Sequence, residues 1–194
     1  MAVTLDCPTC GKPRTYLAVP ESGCPHCEAP YPPELLRHGE AHLARQAAPR
    51  PVPLTFGMYA STALGVLFLL GMVCAGLDVG TFAIDNELVS GPEFLRRAGF
   101  PFVLIGILSL SIGYAMWRER WWSRQLVLVF WVVANGLGVI FALQAGIPIG
   151  SVVPRAAMGL AVILGPTAAY FFLKDNVVAY YNALRMERDA SHRN

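Results

Sequence analysis

The sequence predicts an all-α integral membrane protein of four transmembrane helices carrying a small metal-clasped β-hairpin domain at its N-terminus. Three observations lead there. Only 14% of the residues are charged and 55% are hydrophobic, whereas a soluble domain carries roughly 25% charged residues. Four apolar runs each approach the length of about 20 residues that a bilayer crossing needs. Two Cys-x-x-Cys pairs, Cys7–Cys10 and Cys24–Cys27, stand thirteen residues apart ahead of the first run.

The runs lie at about 54–77, 99–117, 126–145 and 156–173, and none contains a charge. Buried helices of a soluble fold are excluded, because four such runs in succession leave no polar face for water. A membrane β-barrel is excluded because the runs do not alternate. Asn135 is the one strongly polar mid-span group of the third run, and Pro166 is expected to kink the fourth. Small residues recur every four positions at Gly57, Ser61 and Gly65 in the first run and at Ala157, Ala161, Gly165 and Ala169 in the fourth. Such stripes let helix backbones approach closely, so both are expected to be helix–helix seams.

Lys and Arg set the expected orientation. With the N-terminus inside, the inner segments hold twelve cations: Lys12, Arg14, Arg37, Arg45, Arg50, Arg118, Arg120, Arg124, Lys174, Arg185, Arg188 and Arg193. The outer segments hold three, Arg96, Arg97 and Arg155, and the 78–98 loop adds the acids Asp78, Asp85, Glu87 and Glu93. Both termini are therefore expected in the cytoplasm, although Arg96 and Arg97 run against the trend. Trp117, Trp121 and Trp122 flank the turn between spans two and three, as interface anchors do. No short apolar stretch of secretory-signal type precedes the first span.

Residues 1–53 carry five cations and five acids, so the head has no basic patch for nucleic acid. Four thiolates at Cys7, Cys10, Cys24 and Cys27 suit a closed tetrahedral Zn²⁺ site, which is structural because it leaves no position for water. A segment of this size buries too little core to fold alone, so the metal would supply folding free energy. Lys12 and Arg14 offset part of the charge of such a centre. Gly11 stands where a positive φ is expected, and Tyr16, Leu17 and Val19 are expected to form a hairpin strand. A four-cysteine set also suits iron in a rubredoxin-like site or two disulfides. The short spacing favours zinc, and disulfides need an oxidising compartment that the charge bias does not indicate. Cys74, in the first span, reads as a small apolar residue. His26 within the second knuckle, and His38 and His42 one helical turn apart, are weaker ligand candidates; the last two form no HExxH motif.

On Cys7, Cys10, Cys24, Cys27, the two Cys-Pro steps and Gly11, residues 5–31 resemble the zinc-ribbon family. The resemblance implies a metal-clasped β-hairpin module of a kind used to bind proteins or nucleic acids. Glu28 departs from it, standing where a glycine is common. The body resembles bacterial four-span membrane proteins in a generic way, and carries over no functional residue.

The expected organisation is a zinc ribbon at 1–32, a short helix and proline-rich linker at 33–53, a four-helix transmembrane bundle at 54–176 and an amphipathic tail at 177–194. Pro33 opens a helix to about Ala47, with an apolar stripe of Leu35, Leu36, Leu43 and Ala47, weakened by Gly39. Pro49 to Pro53 form a stiff spacer. The tail (Val177, Tyr181, Leu184) is expected to lie along the membrane surface, with Arg185 and Arg188 near anionic lipid. The spans offer no buried acid, base or cation for intramembrane chemistry. The expectation is a non-enzymatic interaction protein of the bacterial inner membrane, an accessory or assembly subunit whose zinc head contacts cytosolic protein. An oligomeric transporter or channel, lined by Asn135, Ser109, Ser111 and Thr167, is the alternative.

Overall fold

The computed structural model describes residues 2–18, 20, 23–84 and 87–191. Val19, Asp85 and Arg193, used in the expectations above, lie outside them. The chain forms two compact units. One unites the residues up to Pro51 with those from Leu173 on, and the other comprises Val52–Phe172.

The first unit begins with an antiparallel hairpin of β1 (Val3–Asp6) and β2 (Pro13–Tyr16), with Val3 opposite Tyr16 and Asp6 opposite Pro13. The helix α1 (Pro33–Ala47) has the predicted bounds, with proline in its first turn, where a missing N–H costs nothing. The C-terminal helix α7 (Asp175–Ser191) packs against α1. It buries Val177, Tyr180, Tyr181 and Leu184, an i, i+3, i+4, i+7 stripe. This differs from the separate surface-lying tail that the sequence suggests. The apolar face of α7 is buried within the chain, where α7 packs on α1. Gly39 and Ala41 are the two buried positions of α1. Arg45 stacks its guanidinium 4.9 Å from the Tyr180 ring centroid, and Arg50 Nε donates to the Tyr180 hydroxyl at 3.3 Å.

The second unit holds four helices long and apolar enough to cross a membrane. They are α2 (Val52–Gly76), a continuous helix over Gly91–Trp117, α5 (Ser123–Gln144) and α6 (Ile149–Leu173). The second consists of α3 (Gly91–Phe94), a π-helical turn (Leu95–Gly99) and α4 (Phe100–Trp117). All four start before their apolar runs, and three of them take in arginines there. Arg96, Arg97, Arg124 and Arg155 therefore fall inside helices, since backbone hydrogen bonding continues past the apolar slab. Pro53 sits in the first turn of α2, so the proline spacer shortens to residues 49–51.

Between α2 and α3 the chain makes a hairpin, β3 (Phe82–Ile84) with β4 (Glu87–Val89), that the sequence reading did not anticipate. Asp78, at φ +53°, ends α2, and its carboxylate accepts the Gly91 N–H at 2.6 Å. Ser90 caps α3 by accepting the Glu93 N–H at 3.4 Å. Phe82, Ile84 and Val89 then pack on a small core of Ala75, Phe94 and Ala98.

The expected four-helix bundle is not evenly formed. The helices α2 and α4 pack closely, α5 leans on α4, and α6 touches the other spans sparsely. The α2–α4 seam rests on glycines: a Cβ at Gly65 would lie 2.8 Å from the Leu110 backbone nitrogen and 2.9 Å from the Gly106 carbonyl oxygen. A Cβ at Gly113 would lie 2.2 Å from Thr62 Oγ1. Gly65 thus belongs to a seam as expected, facing Gly106 and Leu110 of α4, while Gly113 meets Thr62 and Met58 of α2. Gly57 has open space, and on α6 the stripe of Ala157, Ala161, Gly165 and Ala169 is exposed. The α6 stripe is therefore not a seam within the chain. Gly65→Ala should lower the stability of the detergent-solubilised protein by about 1–3 kcal/mol, the range for overpacking. Gly165→Ala, with no neighbour within 4 Å, should leave it unchanged in the same thermal melt.

Candidate metal centre

The cysteines sit on two turns built alike. In the first, the Gly11 N–H donates to the Cys7 carbonyl at 2.8 Å and the Cys7 N–H to the Lys12 carbonyl at 3.2 Å. In the second, the Glu28 N–H donates to the Cys24 carbonyl at 2.7 Å and the Cys24 N–H to the Ala29 carbonyl at 2.8 Å. Each turn closes on a left-handed residue, Gly11 at φ +68° and Glu28 at φ +56°. Glu28 therefore adopts the glycine-like geometry despite its side chain. Gly23 is needed for close approach, because a Cβ there would meet the Ala29 carbonyl oxygen at 2.5 Å.

The turns bring Cys7, Cys10, Cys24 and Cys27 together, with all four sulfurs within 4.8 Å of one another. Cys7 Sγ lies 3.6 Å from Cys27 Sγ, and Cys10 Sγ lies 3.8 Å from Cys24 Sγ. The edge of a tetrahedron with metal–sulfur bonds of about 2.3 Å is about 3.8 Å. A disulfide would need about 2.05 Å. The donor set and its spacing therefore fit a tetrahedral metal ion held by sulfur alone. The leading cysteine of each turn is buried, at 2% exposure for Cys7 and 1% for Cys24, while Cys27 reaches the surface.

The chain prepares part of the negative charge itself. The backbone N–H groups of Cys10 and then Thr9 draw the Cys7 thiol below its usual range against the effect of burial. Those of His26 and then Cys27 bring Cys24 down to about 6, again against burial. At Cys27 the Ala29 N–H acts in the same sense, but burial and the three neighbouring sulfurs outweigh it and raise the thiol to about 12. A cation among the sulfurs displaces the remaining protons, since a metal-bound thiol is a thiolate.

Around the cluster, Tyr31 packs against Cys7 and Cys24, joined by Tyr16, Leu35 and Leu36. The Tyr16 and Tyr31 hydroxyls are 3.0 Å apart and their rings meet edge to face at 6.2 Å. The Tyr16 hydrogen bond, then burial, then the Cys24 sulfur hold the Tyr31 phenol protonated beyond its ordinary range. Leu35 and Leu36 thus seat α1 on the cysteine cluster. The sequence places Tyr16 in the strand, and Tyr31 is not among its predicted site residues. The available signal was an aromatic residue between Pro30 and Pro32, just past the second knuckle.

The expected strand is half right: Tyr16 ends β2, and Leu17 follows it, 81% exposed. Lys12 and Arg14 are exposed on the hairpin. Among the described residues the four cysteines are the one group with metal-ligand proximity, so His26, His38 and His42 stand outside it. His38 Nδ1 donates to the Glu34 carbonyl at 2.8 Å, and His42 Nε2 lies 2.7 Å from Gln46 Nε2. Cys74 is a free, half-buried thiol on α2. No family model, curated protein or solved structure matches the chain.

The matched turns make opposite changes informative. Gly11→Ala has open space for its methyl group, so its penalty is conformational, about 1–2 kcal/mol. It should weaken zinc affinity by roughly tenfold. Glu28→Gly relieves the same strain and should strengthen affinity by a smaller factor. Competition with a chromophoric chelator reads both.

Proposed function

We propose that this chain is a non-enzymatic accessory or assembly subunit of a larger membrane complex, with a zinc-held head that contacts cytosolic protein. In this reading the head is a zinc ribbon, the membrane is the bacterial inner membrane, and both termini are cytoplasmic. Zn²⁺ at Cys7, Cys10, Cys24 and Cys27 is a structural clasp, because four sulfurs complete a tetrahedral shell and leave no position for substrate.

The observation that carries the proposal is the unequal packing of the spans. The helices α2 and α4 are joined by close glycine contacts, whereas α5 buries only its first residue, Ser123. The helix α6 buries only Val152 and Phe171 along 25 residues. A span with this little intrachain contact gains its packing partners from lipid or from other membrane chains. The exposed small-residue face of α6 suits close helix association. The channel alternative relies on Asn135. Its side-chain amide donates to the Ala156 carbonyl of α6 at 3.3 Å, next to Gly159. That contact favours a packing role over a pore-lining one.

Mild-detergent affinity purification of the tagged protein from native membranes, followed by mass spectrometry, tests the proposal. A defined membrane-protein partner is expected in stoichiometric amount. Replacing Ala161 and Gly165 together by leucine should release it while the cysteine cluster keeps its metal. Recovery of a homo-oligomer alone would contradict the subunit reading.

A further inference from the structure

The arginine pair that runs against the charge bias has a structural setting of its own. Arg96 and Arg97 lie on the π-helical turn Leu95–Gly99. Turns of this kind are rare and recur at functional sites. This turn sets both guanidiniums around a single carboxylate. Arg96 donates through Nε and Nη2 to the two Glu93 oxygens at 3.0 and 2.8 Å, and Arg97 Nε donates to Glu93 Oε1. The carboxylate is the inner member, with 27% of its side chain exposed, against 75% for Arg96 and 49% for Arg97. One carboxylate against two guanidiniums leaves an unmatched positive charge on the outer side.

That charge faces a cavity of about 520 Å³. Arg96, Arg97 and Gln144 form its polar wall, and Ile84, Ala98 and Phe141 are among its apolar lining. The depth of the cavity follows from helix geometry. The eighteen residues of α4, Phe100–Trp117, measure about 27 Å at 1.5 Å per residue. That is close to the hydrocarbon thickness of about 30 Å, so the π turn emerges where headgroups stand. Gln144 is the last residue of α5 and lies at the same end.

We propose that this cavity binds the phosphate of an anionic phospholipid, with Arg96 and Arg97 as its ligands, Gln144 as a further donor and the apolar wall against the glycerol and upper acyl chain. Guanidinium forks match phosphate oxygens in pairs. Glu93 holds both forks in place and limits the affinity, because its charge opposes that of the ligand. The mixed polar and apolar lining suits an amphiphile better than a free ion. The site needs only that the helices span a bilayer.

Native mass spectrometry of the full chain, released from phosphatidylcholine nanodiscs containing a minor share of phosphatidylglycerol, tests the site. Phosphatidylglycerol should be enriched over its bulk share by about tenfold. Arg96→Gln with Arg97→Gln should abolish the enrichment and leave phosphatidylcholine retention unchanged. Glu93→Gln, which keeps both guanidiniums, should increase it, and serves if the double variant does not fold. Four outcomes overturn the proposal: no enrichment in the wild type, enrichment unchanged or lowered by Glu93→Gln, loss only with Arg118→Gln and Arg120→Gln at the opposite helix ends, or displacement of the lipid by an equal concentration of inorganic phosphate.

Discussion

Four sulfurs drawn to one point organise the N-terminal unit. The hairpin of β1 and β2 has four residues per strand, and an isolated two-stranded hairpin is marginal in water. Apolar burial around it is small: among the described residues of 1–32, Val3, Leu5 and Tyr31 are buried apart from the cysteines. The sulfur cluster joins two turns that are seventeen residues apart in sequence at Cys7 and Cys24, and a metal ion held there would close the gap. Once these turns are joined, Tyr31 reaches Tyr16, and Leu35 and Leu36 have a surface on which to seat α1. The helix α7 then packs on α1. Removing the sulfur cluster therefore removes the contact from which the rest of the unit is built.

The other unit answers a different constraint. In hydrocarbon no apolar driving force joins helices, so close backbone approach does that work. Gly65, Gly106 and Gly113 supply it for α2 and α4. The hairpin of β3 and β4 covers the end of this pair, where Phe82, Phe94 and Phe102 stack in sequence at centroid distances of 5.1 and 5.4 Å. The helices α5 and α6 lack comparable contacts, which is the asymmetry behind the subunit proposal. The same asymmetry opens the cavity beside Arg96 and Arg97, because α5 leans on α4 without closing over the π turn.

Much of this was legible in the sequence, for definite reasons. Helices long and apolar enough to cross a membrane announce themselves by the absence of charge over a fixed length, so all four are legible. Their ends were misplaced where an arginine interrupts the hydropathy but not the helix, as at Arg96, Arg124 and Arg155. The helix α1 was found to the residue because Pro33 marks its start and Ala47 is followed closely by Pro49. The cysteine cluster was legible because two short spacings fix four ligands. Pairings across elements were not. Nothing local connects Tyr16 with Tyr31, Gly65 with Gly106, or Tyr180 with Arg45 and Arg50. The hairpin of β3 and β4 has three-residue strands in a polar loop, too short for alternation to stand out. Glu28 shows the converse: a residue that disfavours a left-handed turn takes that conformation where the second cysteine turn closes.

The central claim is that a single metal ion bound by four sulfurs holds the N-terminal unit together. Zinc-edge X-ray absorption on the purified 194-residue chain is the direct test. The account predicts a first shell of four sulfurs at about 2.3 Å, with no nitrogen or oxygen, and one zinc ion per chain by elemental analysis of the same sample. A shell containing imidazole or water, or a metal-free protein whose cysteines are joined in disulfides, would contradict it.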